Sequence, residues 1–437
     1  TSEHLSVTGG SLTLGDALTD TSTFATGTSL DLSGGLFGGN GLVNVLGSFN
    51  WTGGTLTGTG QLDLTSATGG SINGTVTQSG MAITTPFTNI ASGATYNLSG
   101  GSLTAVSSAN LADGSTFNIN GGDFTSGGAV TIDGDLNWSS GSVTSGGVVT
   151  IGNTGTVTIS GDNTLIATSI INNGIFKKTG GTGTSQLNIG SFTNTGNVFS
   201  NSGTLAFGAN YTQTAGQLIL SGGNVQASSI LLNGGLLGGA GLIVGNVTNN
   251  ATVRPGFSPG DISITGNYTQ GSAGVLLMET AGTTIGAYDR LLVTGTASLD
   301  GTLDIIPITP YDGNAVIGDS FDFITAGTIN GSFSSILTAA GYEYSTSIFG
   351  GVFTAQTTAI PSTTAPTSVI PFNDAQIDTV VILEDEFTYP EPIAWFPEPK
   401  EPTTENEDGT GPDNAEEPSL ASLILEDDVS AGIQICR

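Results

Sequence analysis

Whole phrases of this chain return at long intervals, and that repetition limits its possible folds more than any other feature. Residues 32–42 read LSGGLFGGNGL and residues 232–242 read LNGGLLGGAGL, sharing the pattern L-x-GGL-x-GG-x-GL. Phe49-Asn50-Trp51-Thr52 returns as Leu136-Asn137-Trp138-Ser139, and Asn210-Tyr211-Thr212-Gln213 returns as Asn267-Tyr268-Thr269-Gln270. Loose internal repetition of this kind marks a solenoid, whose units bury their apolar faces only against their neighbours. Between the echoes lie short alternating runs, such as Phe117 with Ile119, or Val149, Ile151, Val157 and Ile159, each ended by Gly, Asn or Asp. Such runs read as short strands joined by tight turns. A β-sandwich would explain the alternation but not the echoed phrases. The expected fold is all-β: a right-handed parallel β-helix with about 20 residues per coil. Roughly 12 or 13 coils would occupy residues 1–254, giving a rod of about 60 Å.

The composition agrees. There are 69 glycines among 437 residues, about twice ordinary usage. Charged residues are only 10%, against about 25% in ordinary soluble domains. Abundant Gly, Ser, Thr and Asn disfavour helix, while the regular Leu, Ile, Val and Phe between them can build a core. The net charge is −30 with six Lys and Arg, which leaves no phosphate-binding footprint. Nucleic acid is therefore not an expected partner, and neither is an anionic membrane surface. No run of 18 or more apolar residues exists, so no membrane-spanning helix is expected. The chain starts at Thr1 without an apolar leader, which reads as a mature product or a fragment.

The stretch 252–270, TVRPGFSPGDISITGNYTQ, divides the chain. Pro255 and Pro259 fix φ and lack N–H donors, while Gly256 and Gly260 tolerate positive φ. Residues 1–254 are expected to form the repeat array. Residues 255–357, richer in Leu, Ile, Val and Phe, are expected to form a β-rich unit closing its C-terminal end, since an open end exposes unpaired strand edges. Residues 358–437 begin as a Ser/Thr/Pro linker and continue as a low-complexity acidic tail expected to be disordered. Residues 361–437 hold 17 of the 36 acidic residues, interrupted by the apolar islands 377–383 and 420–425.

PG-x-SPG followed by I-x-GNYTQ, together with YDRLLVTGTASLDGTLDI at 288–305, resembles the C-terminal end of the passenger region in bacterial exported β-helical exoproteins. These are adhesins of the autotransporter and two-partner-secretion (filamentous-haemagglutinin-like) type. The resemblance spans roughly residues 1–357 and is most specific over 230–333. It implies export to the cell surface or beyond, attachment to glycans or to host or neighbouring cell surfaces, and a closing unit that helps the rest fold. No membrane β-barrel pattern follows residue 357, so the resemblance also implies a separate outer-membrane transporter or a barrel outside this chain.

Candidate catalytic and binding residues are few. Asp133 and Asp135 could form the carboxylate pair of a β-helical glycosidase or lyase, but flanking Gly134 they read more simply as turn residues. A lyase would also need a cation to stabilise developing charge, and Lys177, Lys178, Arg254 and Arg290 lie far from any acidic cluster in sequence. His4 is the only histidine and Cys436 the only cysteine, which removes disulfides and leaves little for general-base or His-ligated metal chemistry. In some two-partner adhesins a cysteine pair near the C-terminus holds the chain to its transporter, but here the second cysteine is missing. The calcium-type phrases at 38–43 and 238–243 place Val43 and Ile243 where an Asp ligand is needed. N-x-S/T occurs at Asn50, Asn73, Asn97, Asn137, Asn210, Asn246, Asn250, Asn267 and Asn330; these read as turn and ladder residues before glycan sites. Thr55-Leu56-Thr57 and Thr156-Val157-Thr158 look isolated, so a long Thr lattice of the ice-binding kind is not expected. Trp395 and Phe396, set among prolines, read as linker before docking motif.

The sequence thus points to a non-enzymatic structural or adhesive stalk of an exported bacterial surface protein. No catalytic, cofactor or metal residues are assigned. The competing readings are a β-helical polysaccharide-active enzyme and a passive surface-layer or matrix component.

Overall fold

The computed structural model describes residues 4–14, 20–64 and 69–361. The acidic tail from residue 362 onward lies outside these, and with it the islands 377–383 and 420–425, Trp395, Phe396 and Cys436. The described chain is a parallel β-solenoid, all 38 strands belonging to one continuous sheet. The strands pair parallel from His4–Val7 up to Ser335–Thr338.

One coil shows how the sequence builds the rest. In the strand Thr116–Ser126, Phe117 and Ile119 point inward, and Thr116 and Asn118 outward. The chain turns at Gly121-Gly122, and a second straight segment buries Phe124 and Ser126. It turns again at Gly127-Gly128, and the strand Val130–Ile132 buries both its ends. Each coil therefore has three faces, called first, second and third below in the order 116–119, 123–126 and 130–132. Period-2 alternation assigns the inside and outside of each face.

The echoed phrases do the same job in distant coils. Leu32 and Leu232 end a third-face segment inward, and Phe37 and Leu237 begin the next first-face segment inward. Between them, Gly35 has φ +70° and Gly235 has φ +75°. A Cβ on Gly235 would come within 2.0 Å of the Gly216 carbonyl oxygen in the coil before. Only glycine fits both the backbone conformation and that contact. Successive corners stack directly on one another, and this is why the double glycines recur.

Stacking produces inward columns. On the third face Leu32, Trp51, Ile72, Ile90, Leu111, Ile132 and Ile151 lie in register. The column then changes character to Asn172, Asn194, Gln213, Leu232, Asn249 and Gln270. Buried amides are costly unless bonded. Here Asn172 Nδ2 donates to Asn194 Oδ1 (2.8 Å) and Asn194 Nδ2 to Gln213 Oε1 (3.2 Å). Gln213 Nε2 donates to the carbonyls of Gly234 and Leu236. Asn172 Oδ1, where the ladder begins, has no donor among the described residues. Elsewhere the interior carries an edge-on aromatic run, Trp51–Tyr96–Phe117–Phe124, with ring centres 5.2–5.3 Å apart.

Parallel stacking continues past Arg254. The first-face column runs Leu237, Val253, Leu276, Leu303 and Ile336. The pattern changes only at the end, where Glu343–Phe349 and Val352–Ala359 form an antiparallel pair. Val352–Ala359 also pairs antiparallel with Ser320–Gly331. That strand covers a second-face edge that would otherwise stay open.

Candidate functional site

Two features stand out: the outward columns of the three faces, and one corner where the connecting loops lengthen.

On the third face the outward column reads Asn89, Asn110, Thr131, Thr150, Ile171, Thr193, Thr212, Leu231, Thr248, Thr269, Ser298 and Asn330. Beside it stand Ser191, Asn210, Ser229, Asn246 and Asn267, tied by Ser229 Oγ to Asn210 Oδ1 (3.0 Å) and by Asn267 N–H to Asn246 Oδ1 (2.9 Å). The first face carries Thr77, Asn97, Asn118, Asn137 and Thr158 in register. Their amides bond up the stack, Asn118 to Asn97 at 2.8 Å and Asn137 to Asn118 at 3.0 Å. The second face aligns Thr84, Thr104, Thr125 and Thr144. The Thr-x-Thr pairs are accordingly not isolated: Thr55 is in register with Thr77, and Thr158 with Asn137. They join mixed Thr/Asn columns rather than a pure threonine lattice.

The corner between first and second faces is compact in most coils. Among the described residues it takes five residues at 256–260, as at 179–183, and lengthens at 281–289 and 308–319. The PGFSPG turn belongs to the corner at 256–260. Ser258 is the only non-glycine described residue with positive φ, at 104°. Its Oγ donates to Glu279 Oε2 (2.8 Å), while Arg254 Nη2 donates to Glu279 Oε1 (2.5 Å). Buried Asp289 accepts from the N–H groups of Gly260 (2.8 Å) and Glu279 (2.9 Å). Burial nevertheless pushes its carboxyl up to about 7. Arg290 pairs with Asp261 through both carboxylate oxygens. Beside these loops an open hollow of about 230 Å³ is lined by Thr283, Tyr311, Asn314 and Asp319 among others.

Among the described residues there are four ion pairs: His4–Asp31, Lys178–Asp162, Arg254–Glu279 and Arg290–Asp261. Sequence reading missed the last three because their partners sit in the neighbouring coil; Arg254 and Glu279, for example, are 25 residues apart. A coil period near 20 residues was the available signal. Lys178 points inward, fully buried, its Nζ bonded to the carbonyls of Gly161 and Gly180 and to Asp162 Oδ1 (2.9 Å). The Lys178 hydrogen bond holds the Asp162 carboxyl below its ordinary range.

Asp133 and Asp135 fall into separate roles. Asp133 sits in the turn after Val130–Ile132, its carbonyl accepting from Thr154 Oγ1 (2.8 Å). Asp135 opens the next strand on the first face, between Thr116 and Thr156 in register. Among the described residues neither takes part in an ion pair. Val43 and Ile243, at the calcium-type positions, both point into the core. Among the described residues no three His, Cys, Asp or Glu side chains gather where a metal could bind. No described helix is long and apolar enough to cross a membrane. Of the sequon asparagines, Asn50, Asn97 and Asn137 donate along outward ladders to Asp31, Thr77 and Asn118.

Chemically, the corner is an electrostatic knot in which Glu279 is neutralised by Arg254 and bonded by Ser258, while the buried Arg254 Nε has no partner among the described residues. The faces are instead long, regular arrays of hydroxyl and amide groups. Compared with known proteins, the chain matches no family model, and no curated protein sequence is significantly similar to it.

Proposed function

We propose that this chain is a non-enzymatic, adhesive stalk of an exported bacterial surface protein. The observation that carries this reading is the register of the outward columns: one Thr, Asn or Ser repeats above another along the solenoid. A rigid rod that displays the same polar groups coil after coil can offer many identical weak contacts, which a surface with repeated ligands converts into avidity. The two cations of the loop corner, Arg254 and Arg290, are each paired with a carboxylate, Glu279 and Asp261, so neither stands ready to stabilise developing negative charge, which supports the non-enzymatic reading. Export, location at the cell surface and delivery by a separate outer-membrane transporter follow from the resemblance at 252–270 and 288–305, and stand as part of the proposal.

The test combines negative-stain electron microscopy of the purified chain with attachment of chain-coated beads to bacterial and host-cell layers. Rods together with saturable attachment are the expected result. Rods that self-assemble into sheets without attaching to any cell would favour the passive-layer reading. A compact particle that releases sugar from polysaccharides would replace the proposal with the enzyme reading.

A further inference from the structure

Charge is unevenly distributed over the three faces. The first face carries Asp135, Lys177, Arg254 and Asp304 on its strands, and the second carries Asp63, Asp123, Asp261 and Arg290. Among the described residues, the third-face segments from 48–51 to 328–331 hold no Asp, Glu, Lys, Arg or His. The two segments before them, 4–7 and 29–32, carry the paired His4 and Asp31; in a chain of net charge −30, the described face is thus free of ionisable side chains from residue 48 onward. That face is also continuous, because its column is registered through every coil from Asn89 to Asn330.

We propose that the third face is the attachment surface and that its ligand is a neutral, hydroxyl-rich linear polysaccharide. The inference rests on the adhesive reading above and names its surface and ligand class. Each Thr or Ser on this face is both donor and acceptor, and each Asn offers two donors and an acceptor, which matches the hydrogen-bonding groups of sugar hydroxyls. The groups sit on a stiff backbone about 4.8 Å apart along the rod and about 6.7 Å apart along each strand, so little ordering is needed on binding. A polyanion would meet the field of the whole chain. A polycation would go to the acidic positions of the other faces. An apolar ligand would find only Ile171 and Leu231 within the outward column. Water competes for every contact, so affinity comes from the number of coils engaged and rises with polymer length.

The experiment uses the full chain with microcrystalline cellulose, soluble mannan and dextran as neutral probes and alginate as the anionic one, read by pull-down and affinity electrophoresis. Two double variants are compared: Thr193→Asp with Thr212→Asp on the third face, and Thr116→Asp with Thr158→Asp on the first. A third pair, Thr193→Val with Thr212→Val, keeps the shape and adds no charge, so it decides the matter if the aspartates unfold the chain. We expect at least one neutral polymer to bind, with little dependence on salt and stronger retention of longer chains. Binding should fall about tenfold or more in the third-face pairs and be retained in the first-face pair. Equal loss in both faces, or binding of alginate alone, overturns the proposal. So does a wild-type dimer that the third-face variants dissociate, since a second copy would then cover this face. Retained cell attachment with no neutral polymer bound would sink this inference alone, whereas loss of attachment altogether would sink the adhesive reading with it.

Discussion

Single residues show where the chain departs from a simple inside–outside code. Asn172, Asn194 and Gln213 are fully buried in positions that alternation marks as inward, yet their polarity marks them as turn residues. Sequence reading did not single out this ladder, because a single coil does not reveal that the next coil supplies a partner. Lys178 was hidden in the same way: its burial makes sense only with Gly161 and Asp162 from the coil before. Asp289 carries a pH prediction. Its folded-state pKa, about 7, lies above the unfolded value of about 4, so between those limits the folded chain binds more protons than the unfolded one. Its contribution is therefore fully present below about pH 4 and is lost as pH rises through about 7, at up to about 1.4 kcal/mol per pH unit. Asp162 and Asp300, held low by Lys178 and by Ser334 respectively, act oppositely, their stabilisation being lost as pH falls below the ordinary carboxylate range. Denaturation midpoints of wild type and Asp289→Asn at pH 5 and pH 8 separate the two effects. The wild type should lose more stability than the variant on going to pH 8; identical changes would show that Asp289 is not buried as described.

At the level of the element, strands were more legible than their partners. The alternation of Val149 with Ile151 and of Val157 with Ile159 announces two strands, and the structure has them at Val148–Ile151 and Thr156–Ile159. The alternation does not announce that a corner separates two faces of one triangular coil, because the Gly-rich turn between strands looks like any other loop. The echoed L-x-GGL phrase carried that information, since it marks one corner repeated in distant coils. Gly235 and Gly93 test this account of the corners. Both have positive φ, but a Cβ on Gly93 meets nothing within 4 Å, whereas on Gly235 it meets the backbone of the coil before. Gly93→Ala should cost roughly 1 kcal/mol for the backbone conformation alone, and Gly235→Ala several times that. Equal costs in urea unfolding would mean that the corners do not stack as described.

For the whole molecule, the repeat identified the architecture and the resemblance suggested a role, but neither could show which face is used. Face identity depends on register, and register is summed over many coils: one residue of slip would exchange inside for outside from that point onward. The neutral third face, the loop corner and the ion pairs all depend on it. A direct check uses disulfide formation in a Cys436→Ser background. Asn118 and Asn137 are register partners on the first face, and Asn137 is the register partner of Thr158. Neighbouring coils lie about 4.8 Å apart, within reach of a disulfide, while two coils span about 9.6 Å and are out of reach. Under mild oxidation, Asn118→Cys with Asn137→Cys should close a bridge rapidly and Asn118→Cys with Thr158→Cys should not. Bridging in neither pair, or equally in both, would contradict the solenoid register on which the account stands.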